Sequence, residues 1–166
     1  GVRRLLHREA RGVGLRARNI GITSLSARRS LADPRIYEIF VSLRNFNDTG
    51  TATDLSLYAV TDKRCATGAD CDGAGECVTE ARLCGAVQET ARVPLKPRER
   101  VTRTFVGESS KAGRFVATLT PPGAIAAAGT PAAADDFSTD DIAFATLPPR
   151  PQTRVLHVTS GNLYLK

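Results

Sequence analysis

The sequence predicts an all-β chain: an immunoglobulin-like antiparallel β-sandwich of about seven strands, carrying a disulfide-stapled loop insertion. Three observations lead there. Short segments with apolar residues at every second position recur along the chain, as in half-buried strands. Clusters of Gly, Pro, Asn and Asp separate them. All four cysteines crowd between Cys65 and Cys84.

Taken in order, residues 1–17 form a basic leader or linker. Residues 1–29 hold eight Arg against one acid, Glu9, while the remainder holds fifteen basic and sixteen acidic residues. Such a leader can attract anionic lipid, nucleic acid or an acidic partner; a solubilised connector from an upstream domain is the expectation. The sandwich is expected over 18–149. Ile20–Arg29 reads as the first strand and Asp33-Pro34 ends it. Ile36–Asn45 has the clearest alternation, with Tyr37, Ile39, Val41 and Leu43 on one face. Asn45–Gly50 is turn chemistry. Ala52–Thr61 sets Leu55, Leu57 and Ala59 against Asp54, Ser56 and Tyr58. A Cys-rich insertion over 62–86 interrupts the pattern. Val87–Leu95 resumes it, with Val87, Glu89, Ala91 and Val93 on one face; Lys96–Glu99 is a turn. Val101–Val106 and Arg114–Thr120 follow, hinged at 107–113, and Pro121-Pro122-Gly123 stops the second. An Ala-rich connection over Gly123–Ala134 leads to a last strand, Ile142–Leu147, ended by Pro148-Pro149. The Cys…Trp…Cys core of antibody domains is absent, since there is no Trp. A barrel is the second architecture. Residues 150–166 read as a linker and the start of a following α/β domain, because Val155–Thr159 lacks the polar face of the earlier strands.

Length and composition bound the function. The 166 residues fit about one domain. A chain that starts at Gly1 and holds no Met is expected to be a processed chain or an excised fragment. Hydrophobic residues at 42% and charged residues at 24% are ordinary globular values. No apolar run approaches the ~20 residues of a membrane helix, so membrane attachment is expected only through segments outside this sequence. Aromatics at 5% are thin for stacking on bases, and no nucleic-acid partner is expected.

The cysteines are spaced C-x5-C-x5-C-x6-C. Zinc sites usually use a close C-x2-C pair, absent here, and neither His is near. Cys65, Cys71, Cys77 and Cys84 are therefore read as two disulfides, which implies an oxidising, extracytoplasmic compartment: periplasm, cell surface or medium. The segment Gly68–Cys77 has no core residues of its own, so the bridges must order it. It resembles the short Cys-rich repeats of some secreted bacterial proteins at Asp70-Cys71, Gly75-Glu76-Cys77 and Cys84-Gly85. Four cysteines allow three pairings and the choice stays open, with Cys65–Cys77 and Cys71–Cys84 favoured. Asp70, Asp72 and Glu76 lack the oxygen spacing of a calcium loop.

Two stretches carry a family resemblance. One is Arg18-Asn-Ile-Gly-Ile-Thr-Ser-Leu-Ser-Ala-Arg-Arg29 running into Asp33-Pro-Arg-Ile-Tyr-Glu-Ile-Phe-Val-Ser-Leu-Arg-Asn-Phe46. The other is Asp141-Ile-Ala-Phe-Ala-Thr-Leu-Pro-Pro149 running into Arg154-Val-Leu-His-Val-Thr-Ser-Gly-Asn-Leu-Tyr-Leu165. Over roughly 18–62 and 86–166 the chain resembles the segment that follows the von Willebrand factor A domain in bacterial membrane-anchored proteins of the aerotolerance (Bat-like) type. That resemblance implies an Ig-like, adhesion-type sandwich, a glutamine-amidotransferase-like domain downstream, and transmembrane anchors elsewhere. The Cys-rich insertion lies outside the family pattern.

The sequence carries no recognisable catalytic constellation. His7 sits in the basic leader and His157 on an apolar stretch, and no Gly-x-Ser-x-Gly elbow exists. Gly12-Val-Gly14-Leu-Arg-Ala17 matches the dinucleotide fingerprint loosely, with no strand before it. Asp54-Leu-Ser56-Leu-Tyr58 departs from the metal motif of the A domain at its last position and falls on a strand. Asn47-Asp-Thr49 reads as turn residues; Asp135-Asp136 and Asp140-Asp141 read as a solvated loop. No catalytic, cofactor-binding or metal-ligating residue is assigned, and no cofactor is expected. The function expected is a non-catalytic structural or interaction module of a membrane-tethered protein. Its partners would be the flanking domains of its own polypeptide and another envelope protein. A cation- or ligand-binding adhesion module acting through the Cys-rich loop is the alternative. A second is an enzyme fragment whose site lies in a C-terminal domain.

Overall fold

The computed structural model describes residues 18–73, 75–109, 113–120 and 137–150. The leader 1–17, the Ala-rich connection and Val155–Thr159 lie outside the described residues. Among the described residues eight strands run in chain order: β1 Ile20–Arg29, β2 Ile36–Asn45, β3 Thr51–Arg64, β4 Glu76–Val78, β5 Leu83–Leu95, β6 Arg100–Glu108, β7 Gly113–Thr120 and β8 Ile142–Leu147.

They form two antiparallel sheets, β1-β2-β6 and β4-β5-β3-β7-β8. β1–β2, β3–β5 and β7–β8 are neighbours within a sheet, whereas the chain changes sheet from β2 to β3, β5 to β6 and β6 to β7. This is the crossing pattern of an immunoglobulin-like sandwich. The core lies between the sheets and follows the period of two. β2 gives Tyr37, Ile39, Val41 and Leu43; β3 gives Leu55 and Leu57; β5 gives Val93 and Leu95. β6 gives Phe105, β7 gives Phe115, Ala117 and Leu119, and β8 gives Leu147. The Tyr37 and Phe115 rings tilt against each other 5.3 Å apart within this core. Gly107 lies directly opposite Tyr37. A Cβ there would sit 2.3 Å from the ring, so the glycine makes room for the tyrosine.

Polar ties close the ends. Buried Asn45 donates to the carbonyls of Thr49 at 2.8 Å and Lys96 at 2.9 Å, and accepts from Asn47 N–H at 2.9 Å. One amide thus joins the β2–β3 turn to the β5–β6 turn. At the other end, Arg29 donates to the carbonyls of Pro34 (2.8 Å), Ser109 (2.6 Å) and Pro148 (2.9 Å).

Three features differ from expectation. β3 and β5 reach into 62–86, because Arg64 still pairs with Leu83 although Lys63 and Arg64 carry no alternation. β4 is an eighth strand, too short for a periodic signal. A bulge at Gln88 puts Val87 opposite Tyr58 and Glu89 opposite Leu57, so Val87 turns outward and is half exposed. It does not share the face of Val93.

Candidate functional site: the stapled loop

The loop grows from the β3–β5 hairpin. Beyond Arg64 the chain makes a 3₁₀ turn at Gly68–Cys71, returns as β4 alongside Leu83–Gly85, and turns over Thr79–Arg82. The Asp70 carboxylate holds the first turn, accepting from the N–H groups of Ala66 and Thr67, both at 2.8 Å. These backbone bonds keep the Asp70 carboxyl below the usual carboxylate range. Thr67 with an acid three residues later is a capping-box pattern, a signal the sequence reading passed over.

The structure pairs Cys65 with Cys77 and Cys71 with Cys84, closing overlapping rings with separations of 12 and 13 residues. Cys77 and Cys84 stand opposite each other on β4 and β5, yet each is bonded elsewhere. Cys65, Cys71 and Cys84 are buried, and Cys77 packs against them as a small core separate from that of the sandwich. Their sulfurs lie close together but are consumed in disulfides, so this cluster offers no thiolate for a metal. Gly75 has φ +119, and a Cβ would lie 2.2 Å from the Gly85 carbonyl oxygen. Only glycine lets the loop backbone approach β5 there. The Cys65 N–H donates to the Arg82 carbonyl at 3.1 Å, tying the base of the loop.

A depression of about 900 Å³ opens on this loop, lined by Lys63, Arg64, Ala66, Ala69, Asp70, Asp72, Thr79 and Arg82, with Cys65 at its floor. Its two carboxylates are engaged, Asp70 by the backbone and Asp72 by Lys63. Arg64 and Arg82 form no ion pair among the described residues. The surface therefore offers two guanidinium groups with five donors each, and no convergent carboxylates. Glu76 stands apart on β4, near Tyr58, whose hydroxyl is pushed up chiefly by burial.

The remaining sequence candidates fall elsewhere. Ser56 is buried and shares a hydrogen bond with Thr90 at 3.1 Å; Asp54 stands opposite Arg92. Asn47 accepts from the Asn19 N–H at 2.9 Å, a structural turn contact. Asp140 accepts from the Asn19 side chain at 3.1 Å. His7, His157, Gly12, Gly14, Asp135 and Asp136 lie outside the described residues. Arg28 and Arg29, counted with the basic leader, belong to the sandwich: Arg28 pairs with Glu38 at 2.8 Å and lies over Phe40, and Arg29 bonds to three carbonyls.

Two disulfides fit an oxidising compartment. Among the described residues no helix is long and apolar enough to cross a membrane.

No protein-family model matches the chain, and no curated protein matches it. Among solved structures it is similar to the CARDB domain of a Pyrococcus furiosus protein, crystallised in complex with di-metal ions. That likeness has 13% identity and a TM-score of 0.45, and covers 78% of this chain and 84% of that one. The solution structure of the CARDB domain gives 12% identity and a TM-score of 0.44, over 80% and 93% of the two chains. A GH3 β-glucosidase of Bifidobacterium adolescentis gives 14% identity and a TM-score of 0.46, over 89% of this chain and 19% of that one. At these scores the likenesses add nothing to the fold that the chain's own strand order and register define.

Proposed function

We propose that the chain is a non-catalytic module of an extracytoplasmic, membrane-tethered bacterial protein, which spaces its flanking domains and presents the stapled loop to another envelope protein. The observation that carries this reading is the charge state of the depression on the loop. The two carboxylates lining it, Asp70 and Asp72, are satisfied internally, while Arg64 and Arg82 line it with no ion pair among the described residues. That chemistry suits an acidic protein surface, with Arg forks meeting carboxylates. It does not suit a cation, which would need the oxygens of Asp70 and Asp72 to be free. Two disulfides fix the loop's shape beforehand, so little ordering entropy opposes binding.

The test is photo-cross-linking in intact cells from two positions of the full-length protein, Arg82 in the loop and Gln88 on the outer part of β5. A protein adduct formed from Arg82 alone supports the reading. No adduct, or equal adducts from both positions, removes the loop as a docking surface.

A further inference from the structure

The two sheets end in four edges, and three of them are protected. β1 and β8 lie against each other along one side of the sandwich. β5 is covered by β4 over Leu83–Gly85; beyond that it carries the Gln88 bulge and Pro94, which has no N–H to offer. β6 differs. Its register with β2 is unbroken from Arg100 to Glu108, it contains neither bulge nor proline, and no strand covers its outer side among the described residues. Val106 on this edge is 69% exposed.

The edge is also self-complementary. Read antiparallel against itself about Thr104, β6 places Arg100 opposite Glu108, Thr102 opposite Val106, Arg103 opposite Phe105, and Thr104 opposite Thr104. Both charged pairs are of opposite sign, and Thr–Thr is a favourable cross-strand pair. Centring on Arg103 instead would set two arginines face to face. Within one copy, Arg100 stands opposite Arg44, and neither forms an ion pair among the described residues. Glu108 of a second copy would supply the carboxylate this pair lacks. Among the described residues, the one ion pair of Glu108 is with Arg35, at 4.0 Å.

We propose that two copies of this chain pair through β6, antiparallel about Thr104, joining their three-stranded sheets into one continuous sheet. The two-fold axis passes between the Thr104 residues, and each end of the seam carries an Arg100–Glu108 pair. The interface is built from β6 and not from the stapled loop, and it goes beyond the function proposed for that loop.

The test is sedimentation equilibrium of the 166-residue chain over a range of concentrations, with circular dichroism to verify folding. A monomer–dimer equilibrium is expected. Glu108→Arg should weaken it about tenfold, since each end of the seam then sets like charges opposite each other, and adding Arg100→Glu should restore it. Exposed Thr104→Cys should oxidise to a covalent dimer through that cysteine, an arm that needs no change of charge. A wild type that stays monomeric and a Thr104→Cys variant that does not cross-link would overturn the proposal. So would a dimer that is indifferent to Glu108→Arg or not recovered by the charge swap, which would point to another surface or another partner.

Discussion

Arg29 shows how one side chain can be misassigned by its neighbourhood in sequence. Six of the other seven arginines among residues 1–29 precede β1, so charge counting groups it with the leader. In space its guanidinium gathers three carbonyls from three segments, a role for which fixed planar donors suit better than an ammonium. Arg29→Ala should therefore cost ~1–3 kcal/mol in urea unfolding, and Arg29→Lys should recover less than half of that. Asp33 works at the same end. Its carboxylate takes side-chain bonds and a backbone bond from Arg35, and these hold its pKa down to about 2. A folded-state pKa below the free value of 3.8 means that the contribution is complete above that pH and is lost as pH falls through about 2. Carboxyl titration by NMR should place Asp33 about there, and Arg35→Ala should return it toward the free value. The role of Arg29 was not legible beforehand, because a carbonyl cluster made by residues up to 119 positions apart leaves no mark in local pattern.

The strands were legible wherever one face is buried and the other wet. β2 is the clearest case: Tyr37, Ile39, Val41 and Leu43 are all in the core. The pattern failed where that contrast is missing. Lys63 and Arg64 extend β3 beyond the core, and β4 is a few residues organised around Cys77. The face of Val87 was misread because a bulge adds one residue, which alternation alone does not reveal. The loop itself is an element with its own small core of sulfur, and each ring is of the size for which closure contributes ~3 kcal/mol. Because the two rings overlap, those contributions do not add. Since neither bridge touches the core of Tyr37, Leu55 and Leu147, reduction should release the loop and leave the sandwich. Hydrogen exchange after reduction and alkylation should show protection lost across 65–84 and kept in β2, β3 and β7. Loss of protection in all of these would mean that the hairpin depends on its loop. Gly75→Ala should imitate the local part of that change with both disulfides intact, because its Cβ has no room against Gly85.

At the scale of the molecule, the fold class and the two disulfides could be read from alternation and cysteine spacing, whereas the choice of sheet partners could not. Whether β6 joins β2 or β7 depends on which edges meet after collapse, and both pairings would satisfy the same period of two. The ties just described hold both ends of the described sandwich. β1 begins at Ile20, and β8 finishes with fully buried Leu147, after which Arg29 caps the Pro148 carbonyl. Among the described residues, the buried members of the main core run from Tyr37 to Leu147, with Ile20, Ile22, Leu25 and Ala27 of β1 packed against them. With the domain boundary expected at Pro149, the apolar segment at Val155 should not be needed for stability. Deleting 151–166 is expected to change the unfolding free energy by less than ~1 kcal/mol, as for substitutions away from a core, and to leave the β6 dimer intact. Paired urea melts and sedimentation of the full and shortened chains check both parts. If the shortened chain fails to fold, Val155, Leu156 and Val158 belong to the core and the boundary at Pro149 is wrong. If it folds but no longer dimerises, the association runs through the tail, and the complementarity of Arg100 and Glu108 has no role in it.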